Sequence, residues 1–143
     1  MGYNRMTVDE VWAFLGSPVR PAVLATVRPD GRPHAAPIWY DLDGETLVFT
    51  TGADTVKGRN LRASPRVALV VQDDEPPFSF VSVAGRATID DDLDEVRRWA
   101  ASIGGRYMGA DRAEEFGARN GVPGELLVRV EPDHIVSARD LAD

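Results

Sequence analysis

The chain has 143 residues, of which 43% are hydrophobic and 27% are charged. These values are typical of one folded domain with an apolar core, and they argue against a disordered chain. The formal net charge of −7 argues against nucleic acid as a partner, because duplex binding requires a basic face. The absence of cysteine excludes a disulfide scaffold and a thiolate nucleophile. Because the sequence also contains only two histidines, we do not expect a metal site.

Residues 1–10 lack the apolar core of a signal peptide, and no stretch of the chain reaches the length of a membrane span. The absence of cysteine also fits a reducing compartment. We therefore expect a cytoplasmic protein without a membrane partner.

The first 42 residues predict one helix and one β-hairpin. Thr7 and Glu10 have the spacing of a capping box, so a short helix should follow Thr7. Strands are predicted over residues 21–27 and 33–42, joined by an Asp-Gly turn. Pro37, inside the second strand, predicts a sheet edge or a bulge, because proline has no backbone N–H to donate.

Residues 46–64 predict a strand, a glycine turn and a short helix. The strand covers residues 46–51, and Asp54 or Thr55 then caps a helix that ends before Pro65. The N-terminus of a helix that follows a strand in this way is a favourable seat for phosphate, because its first backbone N–H groups are free.

Three side chains in the first turns of this helix are candidate phosphate ligands: Lys57, Arg59 and Asn60. Lys57 is the only lysine in the chain, beside fifteen arginines. A lysine offers a compact point charge, and an asparagine adds an amide donor. Two plainer interpretations stand beside this one, because basic residues on a short helix are often simply solvated and Asn60 could instead tie the helix down locally.

The remainder of the chain predicts further strands and two helices. The predicted strands cover residues 66–72, 78–90, 125–131 and 135–136, and the predicted helices cover residues 92–107 and 111–120. Gly85 predicts a bend or a bulge, and Gly104 with Gly105 predicts a loosened helix end. Successive strands joined by short turns should pair antiparallel. Residues 1–143 are therefore predicted to form one mainly β domain, a small antiparallel barrel with short helices.

Four segments together carry a resemblance to a known family. They are residues 22–40, Thr50–Thr51 with residues 57–61, residues 77–85, and residues 106–109. The first two resemble the split-barrel flavoproteins related to pyridoxamine 5'-phosphate oxidase. The last two are similar to the branch of that superfamily whose oxidoreductases depend on the deazaflavin coenzyme F420. The order and spacing of the segments extend the resemblance over nearly the whole chain.

The resemblance implies a split β-barrel homodimer with two cofactor sites at the subunit interface. It also implies hydride transfer between reduced coenzyme F420 and a small electrophilic organic substrate. The implied cofactor-binding residues are Lys57, Asn60 and Arg59 with Thr50 and Thr51 at the phosphate, Pro37, Ile38 and Trp39 along the tricyclic ring, and Pro77 and Phe78 from the partner subunit. Catalytic side chains are not assigned, since the cofactor carries the hydride chemistry.

Two departures from the family pattern bear on the cofactor. Oxidases of pyridoxamine phosphate carry basic residues along the third strand that grip the FMN phosphate, whereas residues 45–50 of this chain contain none. This argues against the true oxidase and against FMN. The branch also often has arginine where this chain has Ser79, so a ligand contact there is not expected to carry over.

Several alternatives stay open at the level of the sequence. An FMN-dependent oxidoreductase, a non-catalytic flavin- or haem-binding protein and a plain dimeric interaction domain all suit the same fold. Trp39 could belong to the barrel or dimer core instead of a ring-stacking wall. Tyr107 could donate a proton to substrate or anchor the end of its helix, and we favour the anchor. The substrate is open among quinones, tetrapyrroles, nitroaromatics and unsaturated lactones.

Overall fold

A computed structural model describes residues 4–143 of the chain. The first three residues, which form part of the segment judged to lack a signal peptide, lie outside the described residues. The helices are α1 (Val8–Gly16), α2 (Val56–Ala63), α3 (Leu93–Met108) and α4 (Ala113–Asn120), with a 3₁₀ turn at Ala110–Arg112. The strands are β1 (Ala22–Val27), β2 (Pro33–Ile38), β3 (Asp41–Asp43), β4 (Thr46–Gly52), β5 (Arg66–Asp73), β6 (Ser79–Asp90) and β7 (Glu125–Ala138).

The strands form one antiparallel sheet in the order β2-β1-β5-β6-β7-β4-β3. The two edge strands, β2 and β3, stand at opposite ends of this order, yet only Trp39 and Tyr40 separate them in the chain. The sheet must therefore curl until its two edges approach each other. We call Trp39 and Tyr40 the seam of the barrel. The predicted mainly β fold with short helices is confirmed, and Pro37 lies on an edge strand as predicted.

The inside of the curled sheet holds the main core. Leu24, Phe49 and Val128 are each buried there with at most 1% of their surface exposed. Helix α1 contributes Leu15 to this core and begins with the predicted capping box at Thr7. The amphipathic pattern of α1 therefore serves to cover the barrel interior.

Helix α3 packs on the outside of the barrel. Its Val96 and Trp99 form a second apolar cluster with Val48 of β4 and Leu127 of β7. Gly104 and Gly105 do not loosen the end of α3, so that prediction is wrong: the helix continues through both to Met108. Their role is to give room to α4. A Cβ atom placed on Gly104 would lie 2.2 Å from the Cβ atom of Phe116.

Two strand predictions are also corrected. The predicted strand over residues 33–42 is broken at the seam into β2 and β3. The predicted strands at 125–131 and 135–136 are one continuous strand, β7, that passes through Pro132. Gly85, which lies opposite Pro132, marks the predicted bulge, and the pairing register shifts there. Pro132 therefore stands at a bulge and beyond the last β4–β7 pair, Leu47 with Val130, and a strand tolerates proline at such positions.

One outer face of the sheet carries small and apolar side chains and is not covered by a helix. We call it the open sheet face, and its two central rows are Pro37, Val23, Val70, Ser82 and Val136, and Ala35, Ala25, Ala68, Ala84 and His134. Val23 is 44% exposed and Val136 is 42% exposed. Within residues 4–143, no helix is long and apolar enough to cross a lipid bilayer.

Candidate functional site

A cavity of about 360 Å³ lies outside the barrel, where the seam meets β4, α2 and α3. The residues that line it come from six separate parts of the chain. They are Pro21, Pro37, Ile38, Trp39, Thr50, Lys57, Ala100, Ile103, Gly104 and Asn120. Five of the residues predicted from the sequence to bind a cofactor are thus brought to one place: Pro37, Ile38, Trp39, Thr50 and Lys57.

Lys57 reaches the cavity from the first turn of α2. The start of that helix is fixed by Thr55, whose Oγ1 accepts a hydrogen bond from the N–H of Gly58 at 3.1 Å and donates one to the carbonyl of Gly52 at 2.8 Å. Thr55, one of the two predicted caps, is therefore the cap. Among the ion pairs of residues 4–143, none involves Lys57. Its ammonium group is free to bind an anion.

The positive charge of Lys57 influences the pKa of a nearby carboxyl group, that of Glu125. Burial raises the pKa of the Glu125 carboxyl above its ordinary value, and the positive charge of Lys57 opposes that rise. Glu125 reaches this position because it pairs with Gly52 at the end of the β4–β7 ladder. Glu125 is therefore an acidic neighbour of Lys57, although the two form no ion pair among residues 4–143.

Trp39 forms an aromatic wall of the cavity. Its indole ring lies nearly parallel to the ring of Tyr107, with 4.9 Å between centroids and 5° between planes. Phe116 of α4 approaches the same indole edge-on at 6.1 Å and 60°. Trp39 nevertheless keeps 40% of its surface exposed. The indole is therefore held by two neighbours and still presents surface to a ligand.

Tyr107 joins α3 to the seam. Its hydroxyl donates a hydrogen bond to the carbonyl of Arg20 at 2.7 Å and accepts one from the N–H of Tyr40 at 3.2 Å. Burial raises the pKa of the Tyr107 hydroxyl, so the group stays protonated at neutral pH. The position agrees with the anchoring role favoured from the sequence.

Three other predicted residues lie away from this cavity. Asn60 is only 3% exposed, and its Nδ2 donates to the Oγ1 of Thr26 at 3.0 Å. Thr51 is 4% exposed, with its Oγ1 at 3.1 Å from that of Thr55. Arg59 lies on another face of α2 and borders a separate cavity of about 300 Å³ that is also lined by Arg28 and Arg32.

The loop before β6 holds the remaining predicted residues. Phe78 is 41% exposed and borders a third cavity beside Val70 and Gln72, and Pro77 precedes it. Neither residue lines the cavity at Lys57. Their approach to a cofactor from a partner subunit stays a prediction. His34 is half-buried, and its Nδ1 has no hydrogen-bond partner among the described residues.

Sequence reasoning missed the part of the cavity formed by α3 and by Pro21. Ala100 and Ile103 belong to the apolar stripe of α3, and such a stripe predicts core packing whether or not it also borders a cavity. Pro21 follows α1 and has no ligand-like chemistry. Only the three-dimensional arrangement places these residues next to Lys57 and Trp39.

The comparisons with known proteins identify the family of this chain. Residues 8–137 match the family model described as pyridoxamine 5'-phosphate oxidase. The chain belongs to this family. A curated member from Mycobacterium tuberculosis, F420H(2)-dependent biliverdin reductase, is 29% identical over 138 residues, which is 94% of this chain and 90% of the relative.

Two solved structures extend the likeness to three dimensions. A conserved hypothetical protein from Mycobacterium tuberculosis superposes with a TM-score of 0.84 at 28% identity, over 96% of this chain and 89% of that one. An F420 reductase superposes with a TM-score of 0.69 at 31% identity, over 86% of this chain and 93% of that one. The split-barrel fold and the resemblance to the F420-dependent branch are both confirmed.

The residues around the cavity fit a phosphorylated planar cofactor of this family. Lys57 supplies a cation that forms no ion pair with the described residues, and Trp39 supplies an aromatic surface. Ile103 and Pro37 add apolar walls. A charged anchor for the phosphate and a flat apolar surface for the ring are the two features that such a ligand requires.

Proposed function

We propose that this protein is an oxidoreductase that transfers a hydride between reduced coenzyme F420 and a small electrophilic organic substrate. The observation that carries the proposal is the meeting of Lys57 and Trp39 at one cavity. Both side chains are available to a ligand there, since Lys57 lacks an ion pair and Trp39 is 40% exposed. The names of two relatives, an F420H(2)-dependent biliverdin reductase and an F420 reductase, favour the deazaflavin over FMN.

Each part of the cavity has a task in this proposal. Lys57, with Thr50 beside it, would bind the cofactor phosphate, while Trp39 and Pro37 would lie along the tricyclic ring. The bound coenzyme supplies the hydride. The protein contributes position and the exclusion of water, because hydride transfer needs a close and oriented approach of the substrate. The apolar surfaces of Pro37 and Ile103 serve that exclusion.

We further infer that a second copy of the chain covers the open sheet face. Val23 and Val136 are exposed there in the isolated chain, and contiguous apolar surface of this kind usually marks an interface. Pro37 belongs both to this face and to the cavity. A partner seated on the face would therefore stand next to the cofactor and could bring Pro77 and Phe78 towards it.

The first experiment titrates the purified protein with F420 and, separately, with FMN. We expect tighter binding of F420, weakened about tenfold or more by Lys57→Ala through loss of a charge-assisted contact. Arg59→Ala is the matched control, because it removes a positive charge from the same helix but from outside the cavity. Equal losses in the two variants would show that only the general charge of α2 matters. Preference for FMN would support the FMN-dependent alternative.

Turnover is tested on the same protein. Oxidation of the reduced deazaflavin is followed by absorbance after addition of an acceptor, beginning with biliverdin because of the Mycobacterium tuberculosis relative. Quinones and nitroaromatic compounds follow. Tight binding of F420 without oxidation by any acceptor would favour a non-catalytic cofactor-binding protein.

A further inference from the structure

The two walls of the cavity continue beyond the point where strand pairing ends. In the β1–β2 hairpin, the last pair on this side is Ala22 with Ile38. Pro21 and Trp39, which line the cavity, are the next residues outward on each strand. The ladder of backbone hydrogen bonds therefore does not fix the separation of these two residues.

The hydroxyl of Tyr107 bridges this gap. It donates to the carbonyl of Arg20, directly before Pro21, at 2.7 Å. It accepts from the N–H of Tyr40, directly after Trp39, at 3.2 Å. One hydroxyl group thus connects the two backbones just past the end of their own pairing. The same side chain stacks on Trp39, so it also restrains the orientation of the indole.

We propose that Tyr107 is a positioning residue, which holds the two walls of the cavity and the indole of Trp39 in the arrangement that a planar cofactor ring needs. This inference rests on the proposed function, because it concerns the same cavity. It adds a role for a residue that does not itself line the cavity. Pre-organised walls favour binding, because the cost of ordering them is not incurred when the ligand arrives.

A purely structural role for the hydroxyl is less well supported, since α3 has other attachments in the same region. The guanidinium of Arg106 donates to the carbonyl of Leu15 at 3.1 Å and to that of Gly16 at 2.9 Å. Ser102, which precedes Arg106 in the same helix, donates a hydrogen bond from its hydroxyl to the carboxylate of Asp41 at 2.6 Å. The end of α3 is therefore tied to α1 and to β3 without Tyr107. A proton donor is also disfavoured, because the Tyr107 proton is directed to the carbonyl of Arg20.

The test separates binding of the ring from binding of the phosphate. The probes are the phosphate-free ribityl deazaflavin and inorganic phosphate, each titrated into the whole protein. Tyr107→Phe keeps the stacked ring and removes both hydrogen bonds. We expect it to weaken binding of the ribityl deazaflavin about tenfold, as for the loss of a hydrogen bond, and to leave phosphate binding at Lys57 unchanged.

Ser102→Ala is the matched control. It also removes a hydrogen bond between α3 and the sheet, but at an exposed position outside the cavity. We expect its affinity for the ribityl deazaflavin to stay within about twofold of the wild-type value. An equal loss in Ser102→Ala and Tyr107→Phe, or no loss in Tyr107→Phe, would overturn the proposal. Tyr107→Leu removes stacking as well, and a loss no greater than that of Tyr107→Phe would overturn the part assigned to the stack.

Hydrogen exchange of the ligand-free protein tests the positioning role of Tyr107 independently of the proposed function. In Tyr107→Phe the N–H of Tyr40 loses its acceptor, so its hydrogen exchange should accelerate at least tenfold, together with that of the neighbouring seam. Exchange at wild-type rates would overturn the positioning role. Failure of the wild-type protein to bind either F420 or the ribityl deazaflavin would instead contradict the proposed function, whatever the exchange result.

Discussion

At the scale of single residues, Lys57 and Asn60 show how neighbours on one short helix can have different tasks. Both were candidate phosphate ligands by residue type and spacing. The structure places Lys57 at the cavity and turns Asn60 inward, where its amide meets the hydroxyl of Thr26. Their types could be read from the sequence, but their directions depend on how α2 sits against β1. That packing is a long-range property, which local spacing does not determine.

We predict that Asn60 contributes to stability more than to ligand binding. Asn60→Ala leaves the hydroxyl of Thr26, which is 2% exposed, without its partner. The free energy of unfolding should fall by about 1–3 kcal/mol, as expected for a buried polar group left unsatisfied. Urea unfolding measures this loss. Lys57→Ala is the comparison, with an expected change below about 0.5 kcal/mol for a substitution outside the core.

The two outcomes are distinguished by titration with F420. If Asn60→Ala keeps its stability but binds F420 as weakly as Lys57→Ala does, Asn60 is a phosphate ligand and its hydrogen bond to Thr26 is incidental. Adding Thr26→Val to Asn60→Ala removes the unpaired hydroxyl and should recover part of the lost stability.

At the scale of elements, the close approach of α3 and α4 sets the position of one cavity wall. Gly104 borders the cavity and also faces Phe116, which in turn touches Trp39 edge-on. The contact is possible because glycine has no Cβ atom. Glycine in a helix usually weakens it, which is why the sequence suggested a loosened end. The tertiary contact reverses that expectation.

We predict that Gly104→Ala displaces α4 and disturbs the aromatic wall. The new methyl group would lie 2.2 Å from the Cβ atom of Phe116, so one of the two helices must shift. Stability should fall by about 1–3 kcal/mol, the range for overpacking. Thermal unfolding measures the loss of stability, and F420 titration measures the effect of the disturbed aromatic wall on binding.

Gly16→Ala is the control for that variant. A Cβ atom on Gly16 would have the Cδ1 atom of Leu42 at 3.8 Å as its nearest neighbour, an ordinary contact. No loss of stability is expected there. If Gly104→Ala is as stable as the wild type, the close packing of α3 against α4 does not depend on glycine at this position, and the prediction is wrong.

The strand predictions are most accurate where apolar and polar side chains alternate regularly along the chain. Strands β1, β4 and β5 agree with the sequence to within one residue at each end, because alternation of side chains needs only local information. The pattern of β7 suggested a stop at Pro132, yet the strand continues through a bulge, in which Asp133 has no partner between the pairs Ala84–His134 and Gly85–Pro132. A partner strand far away in sequence decides that outcome.

At the scale of the whole molecule, the cavity could be predicted only in part. The resemblance to the family implies roles for Lys57 and Trp39, which lie 18 positions apart in the chain and which the structure brings to one cavity. The wall from α3 follows from the closure of the sheet and from the packing of that helix outside it. Neither leaves a separate signal in the sequence, since Ala100 and Ile103 have the chemistry of any buried helix face.

We predict that the protein in solution has about twice the mass of one 15.6 kDa chain. Val23→Lys, in the middle of the open sheet face, should shift the molecule to a monomer because a charge cannot be buried there without a partner. Sedimentation velocity measures the mass. Ile89→Lys is the matched control, since Ile89 is 36% exposed on β6 outside the central rows of that face. A wild-type monomer, or equal dissociation of both variants, would contradict the dimer.

The single lysine of the chain also provides a chemical label at the cavity. Reductive methylation with ¹³C-formaldehyde modifies amines and leaves the fifteen arginines unchanged, so Lys57 would give the one side-chain signal besides that of the α-amino group. Its dimethylammonium resonance would report directly on any anion that enters the cavity. Candidate ligands could then be ranked by nuclear magnetic resonance without a coloured cofactor and without knowledge of the substrate.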